Sequence, residues 1–289
     1  MDTQNLNAFL TVAECASFSL AAEQLHLTQS AVSKRIALLE QQVGKKLFDR
    51  IARQVSLTEA GNALLPRARH ILQECAAAIQ VINDLSGDTN GTLRLAISHH
   101  LGLHRLPPVL REFAQQHPNV SLDIEFMDSE KAYEQVLHGQ SEMAVITLAL
   151  ESHHNIYSKR IWTDPLRFIC APDHPLAKIQ QPSLHDLAQY PVILPGLNTY
   201  TGRIIQNLFE TQGIPLQAPM STNYLETIGT MVEIGLGWSA LPETLVKNLH
   251  LMSTEHNGIE RELGYIHHTK RSLSNAAVAF LKLLDAIDD

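Results

Sequence analysis

Between Glu59 and Ser86 the chain carries one long helical pattern with little punctuation, and this feature constrains the fold most. Leu64, Ala68, Ile71, Cys75, Ala78, Ile82 and Leu85 recur at alternating steps of four and three. That is a period of about 3.5 residues, the seam of a coiled coil. Leu65, Leu72 and Ile79 widen the stripe. The same period would suit a core helix of one domain. The helix is long, however, and has no neighbouring helical partner in sequence, which favours a dimer seam. Pro66 removes a backbone donor and is expected to kink the first turns. "SGDTNG", Ser86 to Gly91, is a linker by composition. The chain therefore divides into residues 1–58, a linker helix and hinge over 59–90, and a third zone over 91–289.

The first zone is made of short helical patterns. "LNAFLTVAECAS" places Leu6, Phe9, Leu10 and Ala13 at helical spacing. "SLAAEQLH" reads as a second helix with Ser19 as its N-cap. His26 and Leu27 make a turn, Thr28 caps a third helix running to about Gln42, and Gly44 suits its C-terminal end. On a helical wheel, Val32, Ile36, Leu39 and Val43 fall on one side of that helix. Gln29, Ser30, Ser33, Lys34 and Gln41 gather opposite, with Arg35 at the margin. The apolar side must bury against the first two helices. The polar side is left to read something or merely to be wet. Two short helices joined by a tight turn, the second with such a face, describe a helix-turn-helix. Gln can bond adenine, Ser a base edge or phosphate, and Lys or Arg guanine or phosphate.

Charge tests this reading. The formal net charge of the 289 residues is −8, whereas DNA-binding domains are usually basic. The charge is unevenly spread. Between Thr28 and Arg69, eight Lys/Arg stand against three Asp/Glu. Lys45, Lys46, Arg50 and Arg53 lie close together before strand-like "RQVSLT", which resembles a wing beside the reading helix. Such patches supply phosphate contacts.

The third zone alternates strand and helix patterns. "TLRLAIS", "VSLDIEFMD" and "EMAVITL" read as strands. "RLPPVLREFAQQHP", "SEKAYEQVLHG" (capped by Ser129, stopped by Gly139), "TGRIIQNLFETQG", "LETIGTMVEIGLG" and "LSNAAVAFLKLLDAI" read as helices. This alternation implies α/β architecture with parallel sheets covered on both faces. About 200 residues in this style suit two lobes with a ligand cleft between them.

The head "FSLAAEQLHLTQSAVSKRIALLEQQVGKKLFDR", then "VSLTEAG" and a long helix, resembles the N-terminal signature of LysR-type transcriptional regulators. The match is close over roughly the first 65 residues. "GTLRLAIS" and "EIGLGWSALPETLV" resemble the effector domain of that family. Ser30 and Thr28 stand where Pro and Ser are common in the family, and both remain compatible with a capped recognition helix. The resemblance implies an N-terminal winged helix-turn-helix, a long linker helix and a two-lobed effector domain like the periplasmic binding proteins. Crossover strands are expected near Trp162–Asp164 and Leu263–Tyr265. Lobe one then spans 91–162 and 265–289, and lobe two 163–264. It further implies a dimer-built tetramer that binds partly palindromic promoter DNA, answers a small-molecule effector and works with RNA polymerase.

Carried onto this sequence, the DNA-reading set is Gln29, Ser30, Ser33 and Lys34, with Arg35, Arg50 and Arg53 on phosphate. The effector set is Ser98, His99, His100, Ser129 and Thr147 from lobe one, with Gly196, Asn198, Thr201 and Thr227 from lobe two. Helix N-termini and hydroxyls favour an anionic ligand, although each Ser or Thr could simply cap its own helix.

Other chemistry finds little support. The histidine pairs are not read as a metal site: adjacent His side chains usually point apart, and spacing places no carboxylate or thiol beside them. No cofactor is expected. Cys15, Cys75 and Cys170 are far apart and form no CxxC, so neither a disulfide framework nor a thiolate zinc site is expected. The N-terminus lacks a signal-peptide pattern and no apolar run would span a bilayer, which fits a cytoplasmic protein without membrane contact. An enzyme or solute-binding protein built on the α/β part is the rival reading. No GxGxxG, P-loop, GxSxG or HExxH stands at a strand–helix junction to support catalysis.

Overall fold

The computed structural model describes residues 1–51, 54–84, 89–254 and 258–287. The chain forms two compact units, residues 1–86 and 87–289.

The first unit opens with α1 (Thr3–Cys15), α2 (Phe18–Gln24) and α3 (Gln29–Val43). Each begins at a side-chain cap, Asp2, Ser17 and Thr28 respectively, which satisfies an amide the first turn would orphan. The cap of α2 is thus Ser17 and not Ser19, because the helix starts two residues earlier with Phe18 buried in the core. The turn before α3 places His26 at φ 53°, and Gly44 ends α3 at φ 68°. A two-stranded wing follows, β1 (Phe48–Ile51) antiparallel to β2 (Gln54–Leu57). α4 (Glu59–Asp84) then runs without interruption through Pro66.

The core of this unit joins Leu6, Phe9 and Val12 to Phe18, Val32, Ile36, Leu39 and Phe48. Phe48 is its pivot, with ring centroids 5.4 Å from Phe9 and 5.7 Å from Phe18. The first half of α4 belongs to the same core. Ala68 is fully buried there, and Leu64, Leu65, Ile71 and Leu72 pack against it. Gly61 permits the approach, since a Cβ would lie 2.2 Å from the Leu47 carbonyl oxygen. This removes Ala68 from the expected dimer seam. Ala68 is spent on its own head and Leu64 and Ile71 are partly covered there, whereas Cys75, Ala78, Ile79 and Ile82 are exposed. Leu85 lies outside the described residues.

The second unit has two lobes. Lobe one contains β3 (Gly91–Ser98), α5 (His99–His104), α6 (Pro107–Gln116), β4 (Val120–Met127), α7 (Ser129–Leu137) and β5 (Met143–Thr147). β6 (Ile156–Cys170) leaves it for lobe two. There follow α8 (Leu184–Ala188), β7 (Ile193–Leu194), α9 (Tyr200–Thr211), β8 (Met220–Ser221), α10 (Leu225–Glu233), β9 (Ser239–Pro242) and β10 (His250–Leu251). β11 (Glu260–His268) returns to lobe one, where α11 (Asn275–Asp285) closes the chain.

In lobe one the strand order is β6-β11-β5-β3-β4, with β3 parallel to β4 and β5, and β11 antiparallel to β5 and β6. The sheet is therefore mixed and not purely parallel. In lobe two the C-terminal half of β6 pairs with β9 and β10. Trp162 and Leu263 sit in the lobe-one core, whereas Leu166 and Ile259 sit in the lobe-two core. The second crossing accordingly falls between Ile259 and Leu263, a few residues before the expected Leu263–Tyr265. As expected, α11 returns to lobe one and buries Ala276, Ala277, Phe280 and Leu284 there. Among the described residues, no helix is long and apolar enough to cross a membrane.

Candidate functional site

In the first unit, α3 buries Val32, Ile36 and Leu39 and turns Gln29, Ser30 and Lys34 to solvent. Ser33 is half-buried beside them. The Thr28 hydroxyl accepts from the Ala31 amide at 3.2 Å and lies 3.0 Å from the Ser30 hydroxyl, which ties the first turn together. Arg35 is engaged within the unit, donating to Gln4 Oε1 at 2.9 Å. Lys46 meets Glu40 at 2.7 Å, and the Leu47 amide donates to the same carboxylate. Burial works to raise the Glu40 carboxyl, but these bonds outweigh it and hold the group below its ordinary range. Lys34 and Lys45 thus stand as exposed cations near the reading face. Arg53 and the side chain of Arg50 lie outside the described residues.

In the second unit a cavity opens between the lobes, with about 440 Å³ of empty space including its mouth. Ser98, His99, His100, Ser129, Thr147 and Thr201 line it, as the sequence led one to expect. Gly196, Asn198 and Thr227 do not. Asn198 and Thr227 are exposed elsewhere, while the Gly196 amide donates to Oδ1 of Asn223, which does line the cavity.

The hydroxyls are not spent as helix caps. α5 follows Ser98, whose side chain makes no capping bond. Ser129 is the first residue of α7 and not its cap, which is Asp128. The Ser129 hydroxyl accepts instead from the Thr147 amide at 3.1 Å, joining α7 to the end of β5. α9 is capped by Thr199, which accepts from the Gly202 amide at 3.0 Å. That leaves Thr201 to face inward. Gly202 lets the helix start close in, since a Cβ there would lie 2.4 Å from the Gly196 carbonyl oxygen.

The charged part of the cavity was not legible in the sequence. Arg261 on β11 is opposite Asp164 on β6, and its Nε donates to that carboxylate at 2.7 Å with both side chains almost wholly buried. Arg105 approaches the other oxygen of Asp164 at 3.7 Å. Arg261 Nη1 donates to Thr201 Oγ1 at 3.1 Å, while its Nη2 is buried with no hydrogen-bond partner. Burial pushes the guanidinium down from its ordinary value and Asp164 opposes this. The ordinary value is high enough that the group stays charged.

Acidic side chains of lobe one tie the lobes together. Glu130 Oε1 accepts from the Tyr200 amide, the first of α9, at 2.5 Å. Asp128 Oδ2 accepts from Asn223 at 2.8 Å. Burial raises the Glu130 carboxyl above its usual range, and the Tyr200 bond works against this. At one edge, His104 Nε2 lies 2.8 Å from Glu226 of α10, and burial brings His100 down to about 3, helped by Arg261 and His104. Burial and nearby Asp173 push the Cys170 thiol up to about 11, which leaves it an inert core group.

Comparison with known proteins places both units. Residues 3–62 match the family model for the bacterial regulatory helix-turn-helix protein, lysR family. Residues 86–287 match the LysR substrate binding domain. The chain is 30% identical over 251 residues to the uncharacterized HTH-type transcriptional regulator YwqM of Bacillus subtilis, covering 86% of this chain and 84% of that one. It is 29% identical to the HTH-type transcriptional activator CmpR of Synechocystis, over 97% and 94% of the two chains. Full-length CbnR, solved in complex with its target DNA, shares the fold at a TM-score of 0.72 and 20% identity, with 99% of each chain covered. These relatives are regulators and not enzymes. With its helix-turn-helix at one end and its two-lobed domain at the other, the chain belongs to the LysR family of DNA-binding transcriptional regulators.

Proposed function

We propose that this regulator answers a small anionic effector, held between the lobes on Arg261. The observation that carries the reading is the Arg261 Nη2 atom, buried at the cavity wall without a partner. A buried charged donor left unsatisfied costs more than the ~1–3 kcal/mol of a neutral one, and a ligand oxygen would recover that cost. Ser98, His99, His100, Ser129, Thr147 and Thr201 supply further polar groups around it. The amide at the start of α9 is already taken by Glu130, so the anion's place is the arginine and not the helix terminus. Asp128 and Glu130 on the same lining favour a ligand that also carries a hydroxyl or amino donor.

On the DNA side, Gln29, Ser30, Ser33 and Lys34 approach base edges in the major groove, and Arg35, Arg50 and Arg53 hold phosphate. Two copies pair through the exposed half of α4, and dimers associate further into a tetramer. Effector binding shifts lobe closure and so the spacing of the heads. The regulator acts on RNA polymerase at promoters in the cytoplasm.

The test is a thermal-shift screen of small hydroxy- and amino-carboxylates, phosphates and sulfates, since a bound ligand raises the melting temperature by mass action. Ser98→Ala and Thr201→Ala should lose most of the shift given by the ligand found, with DNA binding in its absence unchanged. Unchanged affinity in both variants removes this site. Lys34→Ala should weaken promoter binding by about 1–3 kcal/mol, and a gel shift with no loss removes its base-reading role.

A further inference from the structure

Spacing placed no carboxylate beside the histidines of residues 99–104, but the fold does. His100 and His104 stand four residues apart on α5, so their rings share one face, with centroids 4.8 Å apart. Glu226, from the first turn of α10 in the other lobe, comes to that face. Its Oε1 lies 2.8 Å from His104 Nε2 and 3.8 Å from His100 Nδ1. One donor atom from each of the three residues falls within 4.8 Å of the others. His100 is 6% exposed, and neither of its ring nitrogens has a hydrogen-bond partner.

We propose that His100, His104 and Glu226 form a binding site for a divalent transition-metal ion of the zinc type, bridging the two lobes. Two imidazoles and a carboxylate suit zinc, cobalt and nickel, and do not suit magnesium or calcium, which prefer oxygen alone. Metal–ligand bonds of about 2.0–2.2 Å at tetrahedral angles hold donor atoms about 3.3 Å apart. The 2.8 and 3.8 Å separations bracket that value, and all three donor atoms lie within 4.8 Å of one another, so the ion would draw them together over a short distance. The ion takes the Nε2 lone pair of His104, and the neutral ring then carries its one proton on Nδ1. It also gives His100 the partner it lacks. Arg261 and Arg105 are the cations nearby, and both face the carboxylate of Asp164, which offsets their repulsion. His104 and Glu226 are part-exposed, which leaves an entry route and room for water as further ligand.

The site goes beyond the anionic effector reading: His104 and Glu226 are not part of the cavity lining. It fixes one lobe against the other, so the ion would favour the arrangement in which α5 and α10 meet.

The experiment uses the full chain, stripped with a chelator and titrated with Co²⁺ while visible absorption is recorded. One saturable equivalent per chain is expected, with the absorption of a four- or five-coordinate ion and with competition by Zn²⁺ but not Mg²⁺. His104→Ala and Glu226→Gln, both at part-exposed positions, should each weaken binding at least about 10-fold. His153→Ala with His154→Ala, a control for the remaining histidines, should not. Absence of a saturable equivalent, or equal affinity in His104→Ala, Glu226→Gln and the parent, overturns the site and leaves a plain histidine–glutamate pair. The thermal shift given by anions in these same two variants reads the effector cavity separately.

Discussion

Arg261 and Asp164 come from positions 97 residues apart and meet across one ladder with almost no solvent around them. Removing one partner strands the other charge. Arg261→Met should therefore cost about 3–5 kcal/mol, and adding Asp164→Leu should recover much of it. Urea unfolding of the single and double variants checks this, and equal stability of both would show that the pair is not the cause. Glu130 gives a pH signature. Burial lifts its carboxyl above the ordinary carboxylate range, so the folded state holds the proton more tightly than the unfolded one. The resulting penalty is absent below the ordinary carboxylate range, grows as pH rises from there to the raised folded value and is complete above it. Glu130→Gln keeps an acceptor for Tyr200 and removes the penalty. Its melting temperature relative to the parent should be higher at pH 7 than at pH 4, and a constant difference would count against the shift. At this scale the hydroxyls were legible and the charges were not. Ser98, Ser129, Thr147 and Thr201 stand at junctions of strand and helix patterns that a reader can see. Arg261 stands in "ERELGYIHH", where nothing local marks it as buried. Glu226 was hidden for the same reason, since its partners lie in the other lobe.

Among the elements, α3 was read almost to the residue, because its cap, its apolar side and its terminal glycine all agree. Thr28→Ala should cost about 1 kcal/mol of head stability through the lost bond to Ala31, measured by thermal unfolding. α5 is not legible in the sequence, because six residues are too few to show a period. α4 is more instructive. A regular period shows that a stripe is buried, not against what. The first turns meet the core of the head, with Ala68 fully covered, while Ile79 and Ile82 remain 62% and 66% exposed. If the outer half is the self-association surface, Ile79→Glu together with Ile82→Glu should shift the assembly towards monomer in light scattering. The fold of the head should be unaffected. Persistence of the parent's mass would show that other surfaces hold the copies together.

At the level of the whole molecule, a formal charge of −8 coexists with a DNA-binding head, because the cations are concentrated between Thr28 and Arg69. Promoter affinity should fall steeply with salt, in proportion to the phosphates neutralised, and a slope near zero would contradict the contacts assigned to the wing and α3. The order of elements also makes lobe one discontinuous. Its core takes Phe280 and Leu284 from the last helix, so both ends of the second unit's sequence meet in one hydrophobic cluster.

The two strands that join the lobes, β6 and β11, are bonded to each other from Ile156 opposite His268 to Pro165 opposite Glu260. At the irregularity beside Gly264, a Cβ would sit 2.0 Å from the Lys159 carbonyl oxygen, so the strands are pressed together there. Such a joint does not swing like a door on loose hinges. It behaves as a torsion bar, and one lobe can turn against the other only by twisting the ribbon that both share. A ligand that pulled the lobes together would be expected to act through that twist, along β6 and β11.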